Sequence, residues 1–317
     1  MQARFLWSSG ESAELGDRRS FFQSDLMYSF RSSKMTIGAA VILAVIVLAV
    51  IAAPCIAPQD PFDPGQLNLL ESHSPPSWLA GGNPRYLLGT DDQGRDIFST
   101  ILHGTRSSLA IGLLSIGLAA ILGIGFGLAA GYAGGIVDAA IMRVADVQLT
   151  FPAILIALLI DGTARALFGD QRNEQTAFWV LVFSIGLSFW VQYARTVRAS
   201  TLAEKNKEYV LAARLIGLNT ASILFRHVLP NVIGPVLVIG TINLALAITA
   251  EATLSFLGVG LPPTQPSLGT LIRIGNNFLF SGEWWIVAFP SLMLAALVIA
   301  VNLLGDWLRD AFNPKLR

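Results

Sequence analysis

Few side chains in this sequence are spaced for covalent chemistry. The three histidines, His73, His103 and His227, are scattered, and neither an H-E-x-x-H nor a G-x-S-x-G arrangement occurs. Cys55 is the single cysteine, which excludes an intrachain disulfide framework and a cysteine-based metal cluster. No G-x-x-x-x-G-K-[ST] loop is present, so the chain lacks the usual phosphate cradle of an ATPase. Three features remain: a lone acid, Glu251, in an apolar run; an acid-rich stretch, Leu88 to Ser99; and a punctuated, charged stretch, Glu208 to Asn231.

An acid inside an apolar helix is costly unless paired or hydrated, so Glu251 is a functional suspect by default. One reading makes it a proton-coupling site. The preferred one has it hydrogen-bonded to a neighbouring helix or to Ser255, at i,i+4, near the external mouth, because no second intramembrane acid or histidine is present that could relay a proton. In the acid-rich stretch, Gly89, Thr90, Asp91, Gly94, Arg95 and Asp96 suggest either a cation loop or a turn that starts a helix. The D-x-[DN]-x-[DN]-G spacing of a calcium loop is absent. The structural reading is therefore preferred: Thr90 or Asp91 caps a helix whose stripe of Ile97, Phe98, Ile101 and Leu102 lies on a membrane surface.

The elements that position these residues are membrane spans. Hydrophobic residues make up 53% of the 317 and charged residues 13%, too few charges for a soluble surface. Mean hydropathy is +0.60. Formal net charge is zero, which gives no general attraction to nucleic acid. Runs long enough to cross a hydrocarbon core, which takes about 20 helical residues, centre on 35–57, 107–131, 138–160, 176–197, 232–257 and 285–305. In the third, Arg143 and Asp146 intrude as a possible i,i+3 pair, and Pro152 predicts a kink. The first run is uncharged from Met35 to Gln59 and follows a polar segment, so it reads as a retained helix and not a signal peptide. Ala52-Ala53-Pro54-Cys55 resembles a lipidation site only faintly, since proline directly precedes the cysteine.

With a cytoplasmic N-terminus, fifteen of the 21 basic residues fall on the cytoplasmic side and six on the other, as the positive-inside rule requires. The expected organisation is a cytoplasmic tail (1–34) with a short interfacial helix near Phe21 to Phe30, a first helix (35–57), and an extracytoplasmic loop (58–104) holding the interfacial helix. A five-helix core (105–305) and a cytoplasmic tail (306–317) follow. Within the core, Ala119, Gly123, Gly127 and Gly131 recur every four residues and predict a close helix contact. Gly134-Gly135 breaks the helix and Asp138 is expected to cap the next. The mixed charges between Asp161 and Gln175 read as a solvated face.

The stretch 201–230 is expected on the cytoplasmic side. A helix from about Thr201 to Ile216 should stop at Gly217, and Asn219 or Thr220 should cap a second short helix that Pro230 ends. Its surface mixes Ile223, Leu224, Phe225 and Val228 with Arg214, Arg226 and His227, which suits a groove on a soluble partner or, alternatively, a lipid surface.

This stretch resembles the EAA loop of ATP-binding cassette importer permeases. Ala212 and Ala213 match the two alanines, Gly217 the glycine, and Leu229-Pro230 the ending, while Leu211 replaces the glutamate and His227 the isoleucine. Arg226-His227 before Leu229-Pro230-Asn231 is similar to the dipeptide, oligopeptide and nickel subgroup. Leu88-Gly89-Thr90-Asp91 through Gly94-Arg95-Asp96 resembles the signature of its second, C-type permease. Gly131-Tyr132 with Gly134-Gly135, Met142-Arg143 with Asp146, Glu251 through Gly258, and Gly305-Asp306 with Pro314 are similar too.

The resemblance implies an all-α, six-helix, type I importer permease of a bacterial inner membrane, with both termini cytoplasmic. It implies a homologous second permease, two cytoplasmic ATPases docking on the 201–230 loop, and an extracytoplasmic solute-binding protein. ATP and magnesium would be bound by those ATPases, leaving this chain without cofactor or metal and in contact only with protein and membrane lipid. Alternating access, driven by closure of the ATPase pair, would move peptides or related small solutes inward. The rival reading from the residues is an ion- or proton-coupled secondary transporter using Glu251.

Overall fold

A computed structural model of the chain describes residues 30–31, 33–168 and 173–311. The proposed interfacial helix near Phe21, the charges Asp170 and Arg172, and the tail beyond Ala311 lie outside these residues. Among the described residues the fold is helical, with a lone antiparallel bridge between Thr90 and Asp96.

Helix α1 spans Lys34–Ile51, where the Ser33 hydroxyl accepts the Thr36 amide. Helix α2 runs Ile97–Ala133 without interruption. At 1.5 Å per residue its length is about 55 Å, well beyond a roughly 30 Å hydrocarbon core. The helix expected to lie along the membrane surface is thus the first turns of the span itself. Ile97, Ile101 and Leu102 are buried against protein because α2 continues straight on into the bundle.

Helices α3 (Gly135–Leu149) and α4 (Ala153–Phe168) replace the single span expected at 138–160. They meet at 93°. Pro152 has no amide to donate and its ring excludes a carbonyl one turn back, so the helix stops at Thr150 instead of merely kinking. Gln148 ties this elbow to helix α5 (Glu174–Glu204), donating to the Leu187 carbonyl at 2.6 Å and accepting the Trp190 indole N–H at 2.7 Å. Asp138 does not cap α3. Its carboxylate pairs with Arg198 on α5, and Gly134 takes the cap position by backbone alone.

Helix α6 (Glu208–Leu215) is followed by one helical turn at Thr220–Ser222, a wider π-helical segment at Ile223–Val228 and helix α7 (Leu229–Phe256). Helix α8 (Leu268–Asn276) and helix α9 (Trp285–Ala311) complete the bundle. α1, α2, α5, the continuous rod Thr220–Phe256, and α9 are each long and apolar enough to cross a membrane. The bent pair α3 and α4 supplies a sixth candidate as a broken span. Outward side chains such as Val45, Leu48, Ile121, Leu159 and Leu292 are exposed and apolar, as a lipid-facing exterior requires.

The α2–α5 contact is the most intimate in the bundle. A Cβ placed on Gly123 would fall 2.3 Å from the Tyr193 Cβ, on Gly127 2.6 Å from the Ala194 carbonyl oxygen, and on Gly131 2.7 Å from the Thr201 Cβ. The stripe expected from the four-residue spacing is therefore where the α5 backbone comes close. Around it Ile111, Leu181, Ile185, Phe189 and Val197 form one core, and that same core takes in Val210, Ala213, Ile223 and Val228 from the turn beyond α5.

Candidate functional site

Three groups of residues stand out, at opposite ends of the bundle and inside it. At one end lies the turn between α5 and α7. Helix α5 ends at Glu204, not in a helix running through to Ile216, and Lys205–Lys207 reverse the chain. Lys205 donates to the Gly131 carbonyl at 2.7 Å. The Glu204 carboxylate accepts Lys207 at 2.6 Å and the Tyr209 hydroxyl. Burial pushes the Tyr209 phenol up to about 12, with the Glu204 hydrogen bond adding to it, so Tyr209 stays a donor at neutral pH.

α6 ends in a Schellman motif. The Gly217 amide donates to Arg214 at 3.0 Å and the Leu218 amide to Ala213 at 3.1 Å, with Gly217 at φ +81°. Asn219 then accepts the Ser222 amide at 2.7 Å and starts the next turn.

From here the expected second short helix is the N-terminal extension of α7. Pro230 does not end it. The π-helical segment reroutes the Leu229 amide to the Leu224 carbonyl, and this wider winding absorbs the missing proline donor without breaking the rod. His227 and Leu229 are half-buried, Arg226 and Pro230 exposed. The two alanines divide their work: Ala213 is buried in the core and Ala212 faces out. Leu211, Leu215, Ile216 and Phe225 are exposed around the Gly217 turn, Leu215 at 88%. The Arg214 guanidinium lies 4.8 Å from the Tyr132 ring centroid, which fixes a cation beside this apolar surface. The result is a protruding apolar patch whose underside belongs to the bundle core.

At the opposite end, Asp91 organises its loop. Its carboxylate accepts the Gln93 and Arg95 amides at 2.9 Å and the Arg95 Nε at 2.7 Å. Arg95 is fully buried and donates onward to the Pro263 carbonyl at 2.7 Å. Gly94, at φ +72°, sits where a Cβ would lie 2.2 Å from the Asn68 carbonyl oxygen, and Gly89 is similarly tight against Ser74. The Thr90 hydroxyl donates to the Glu71 carbonyl at 2.6 Å and accepts the Ser74 amide at 2.9 Å.

The helix cap is Asp96, not Thr90 or Asp91: its carboxylate accepts the Ser99 amide at 2.8 Å, while Thr90 and Asp91 are committed to the loop. Burial raises the Asp96 and Asp92 carboxyls above their ordinary range, with the Asp91 charge adding at Asp92. This loop is a clasp joining segments 59–76, 88–96 and 262–266.

Inside the bundle, Glu251 accepts the Ser255 hydroxyl at 2.6 Å and the Ser108 hydroxyl of α2 at 2.7 Å. Ser108 also accepts the Leu268 amide at 3.2 Å, and Ser267 donates to Ser255 at 3.1 Å. The acid thus holds α2, α7 and the start of α8 together. Arg143 and Asp146 do not pair with each other; Asp146 reaches Arg195 on α5, and Arg143 is exposed outside that pair.

Three contacts and a cavity carry no clear mark in the sequence. Asp161, assigned to a solvated face, is buried and bonded to Arg165 at 2.7 Å, and Arg165 reaches the Gly258 carbonyl at 3.0 Å. His73 meets Glu283 across the clasp end. A cavity between α2 and α5 is lined by Arg106 and Glu174. Only the i,i+4 spacing of Asp161 and Arg165 carried a local signal.

The profile of the binding-protein-dependent transport system inner membrane component family matches residues 123–317, and that of the N-terminal TM domain of oligopeptide transport permease C matches residues 20–76. The chain is 38% identical to the di/tripeptide transport system permease protein DppC of Pseudomonas aeruginosa, over 91% of each chain. It is 33% identical to the oligopeptide transport system permease protein OppC of Bacillus subtilis, over 98% of this chain and 95% of that one. Its fold superposes on a chain of the MetNI methionine ABC transporter with a TM-score of 0.52, at 18% identity, covering 67% of this chain and 96% of that one. The chain belongs to the binding-protein-dependent transport system inner membrane component family, as a permease subunit of an ATP-binding cassette importer in the dipeptide and oligopeptide subgroup.

Proposed function

We propose that this permease pairs with a homologous second permease to form the pathway by which peptides enter a bacterial cytoplasm, driven by two separate ATPases. The relatives named for di/tripeptide, dipeptide and oligopeptide transport support peptides as the substrate class. The observation that carries the mechanical part is the Gly217 turn. Exposed Leu211, Leu215, Ile216 and Phe225 offer an apolar contact to a soluble partner, while buried Val210, Ala213, Ile223 and Val228 belong to the bundle core. A push on the turn is therefore delivered to α2, α5 and α7 as a rigid-body displacement.

In this reading Ala212, Ala213, Gly217, Arg226, His227, Leu229 and Pro230 form the ATPase-coupling loop, with Leu211 and His227 tuning the match to a particular ATPase. ATP binding closes the ATPase pair and turns the pathway outward to accept solute from an extracytoplasmic binding protein. The charge asymmetry supports a cytoplasmic turn and cytoplasmic termini, with the Asp91 clasp outside. ATP and magnesium belong to the ATPases.

Gly217→Leu tests the reading. The added side chain meets open space, so its effect comes from the positive φ that a non-glycine residue resists. Membrane insertion should be normal and ATP hydrolysis should persist, while peptide uptake falls. Undiminished uptake by this variant would count against the coupling role.

A further inference from the structure

At the clasp end, a cavity of about 520 Å³ opens between the first turns of α2 and α5. Its size falls within the range of small-molecule sites, about 300–1,000 Å³. Its walls carry both signs of charge. Arg106 on α2 is exposed and forms no hydrogen bond or ion pair among the described residues. Glu174, in the first turn of α5, accepts the Thr264 hydroxyl on Oε1 at 2.6 Å and leaves Oε2 free within the described residues. The same cavity is also lined by aromatic rings: Phe62 packs edge-on to His103 with centroids 5.2 Å apart, and Phe178 edge-on to Trp179 at 5.6 Å. Trp179 is 45% exposed and lines the cavity.

A guanidinium and a carboxylate oxygen without partners among the described residues, sharing one aromatic-walled cavity, suit a ligand carrying both charges. We infer that this cavity is a transit subsite for a zwitterionic peptide, with Arg106 taking the carboxylate, Glu174 the ammonium, and Trp179 and Phe178 the body between. A guanidinium fork matches a carboxylate bidentately, whereas the ammonium needs only an acceptor of opposite charge. The inference deepens the importer reading and rests on it for the peptide class. It differs from that reading in placing a selective site on this chain.

The test is binding of radiolabelled dialanine to the full chain in lipid nanodiscs, with N-acetyl-dialanine and dialanine amide as competitors. Wild type should bind dialanine, and neither blocked form should compete well. Arg106→Gln and Glu174→Gln should each weaken binding about tenfold or more, the scale of losing one charged hydrogen bond. Arg106→Gln should also cease to distinguish dialanine from its amide, and Glu174→Gln should cease to distinguish it from the N-acetyl form. A merely structural role would not produce that exchange of selectivity. No wild-type binding, unchanged binding in both variants, or equal competition by the blocked forms on wild type would overturn the subsite. ATP-driven uptake of dialanine by cells expressing the whole transporter separates the two ideas: uptake without binding to this chain sinks the subsite alone, and absence of any peptide uptake sinks the importer reading.

Discussion

Ser108 donates to the Oε2 of Glu251 at 2.7 Å across 143 positions of sequence, and the Ser255 hydroxyl donates to the other oxygen at 2.6 Å. Both donors are buried neutral hydroxyls, and no titratable side chain bonds to the carboxylate among the described residues. The arrangement holds helices together and brings no second titratable group to the acid among the described residues. Glu251→Gln should therefore sustain ATP-driven uptake near the wild-type rate. Glu251→Ala should lower thermal stability by about 1–3 kcal/mol, because it strands two buried hydroxyls. Loss of uptake in a stably folded Glu251→Gln permease would revive the proton-coupling reading.

The glycines of α2 divide into two classes that substitution should separate. Gly127 faces the α5 backbone, whereas a Cβ on Gly125 meets nothing within 4 Å. Gly127→Ala should force α2 and α5 apart and cost about 1–3 kcal/mol or more as overpacking. Gly125→Ala should gain up to about 1 kcal/mol of helix propensity. Thermal unfolding of the two purified variants should move in opposite directions, and a common direction would refute the close-contact argument.

Local periodicity carried much of the architecture. The apolar runs place the long helices, and the four-residue spacing from Ala119 to Gly131 marks the face that meets Tyr193, Ala194 and Thr201. Gly217 and Asn219 declare the stop and the start around the turn because those jobs need a left-handed residue and a short side-chain acceptor. What the sequence hid is what tertiary contact decides. Pro230 reads as a stop, yet a π-helical segment before it lets one rod continue from Thr220 to Phe256. Asp138 and Asp146 read as local partners, yet both reach arginines on α5. Ser108 carries no mark of its role, since only folding brings it beside Glu251.

Arg95 is the keystone of the clasp, bonded to Asp91 and to the Pro263 carbonyl with its side chain 1% exposed. Arg95→Ala leaves the Asp91 charge buried without its partner, which costs about 3–5 kcal/mol. The loop 88–96 should then become sensitive to limited proteolysis while the distant Gly217 turn is unaffected. Arg95→Lys restores charge but not the fork geometry and should recover only part of the protection. Full protection in Arg95→Ala would show that the clasp is held by its glycines and backbone alone.

The same clasp should respond to acid in the sense opposite to that of most ion-paired carboxylates. Burial raises the carboxyls of Asp96 and Asp92 in the folded loop above the ordinary 3.8, so the folded state binds protons more readily than the open one. A raised acid favours folding below its ordinary value and loses that contribution as pH climbs through its folded value. Between those two points, lowering pH should close the loop more firmly. Amide hydrogen exchange at Asp91 to Asp96, corrected for intrinsic rates, should show protection rising as pH falls through this window. Asp96→Asn should flatten the trend. It keeps an acceptor for the Ser99 amide and removes the charge whose burial sets the slope. Protection that falls with acid in the wild-type protein would show that Asp96 and Asp92 do not govern how the clasp opens.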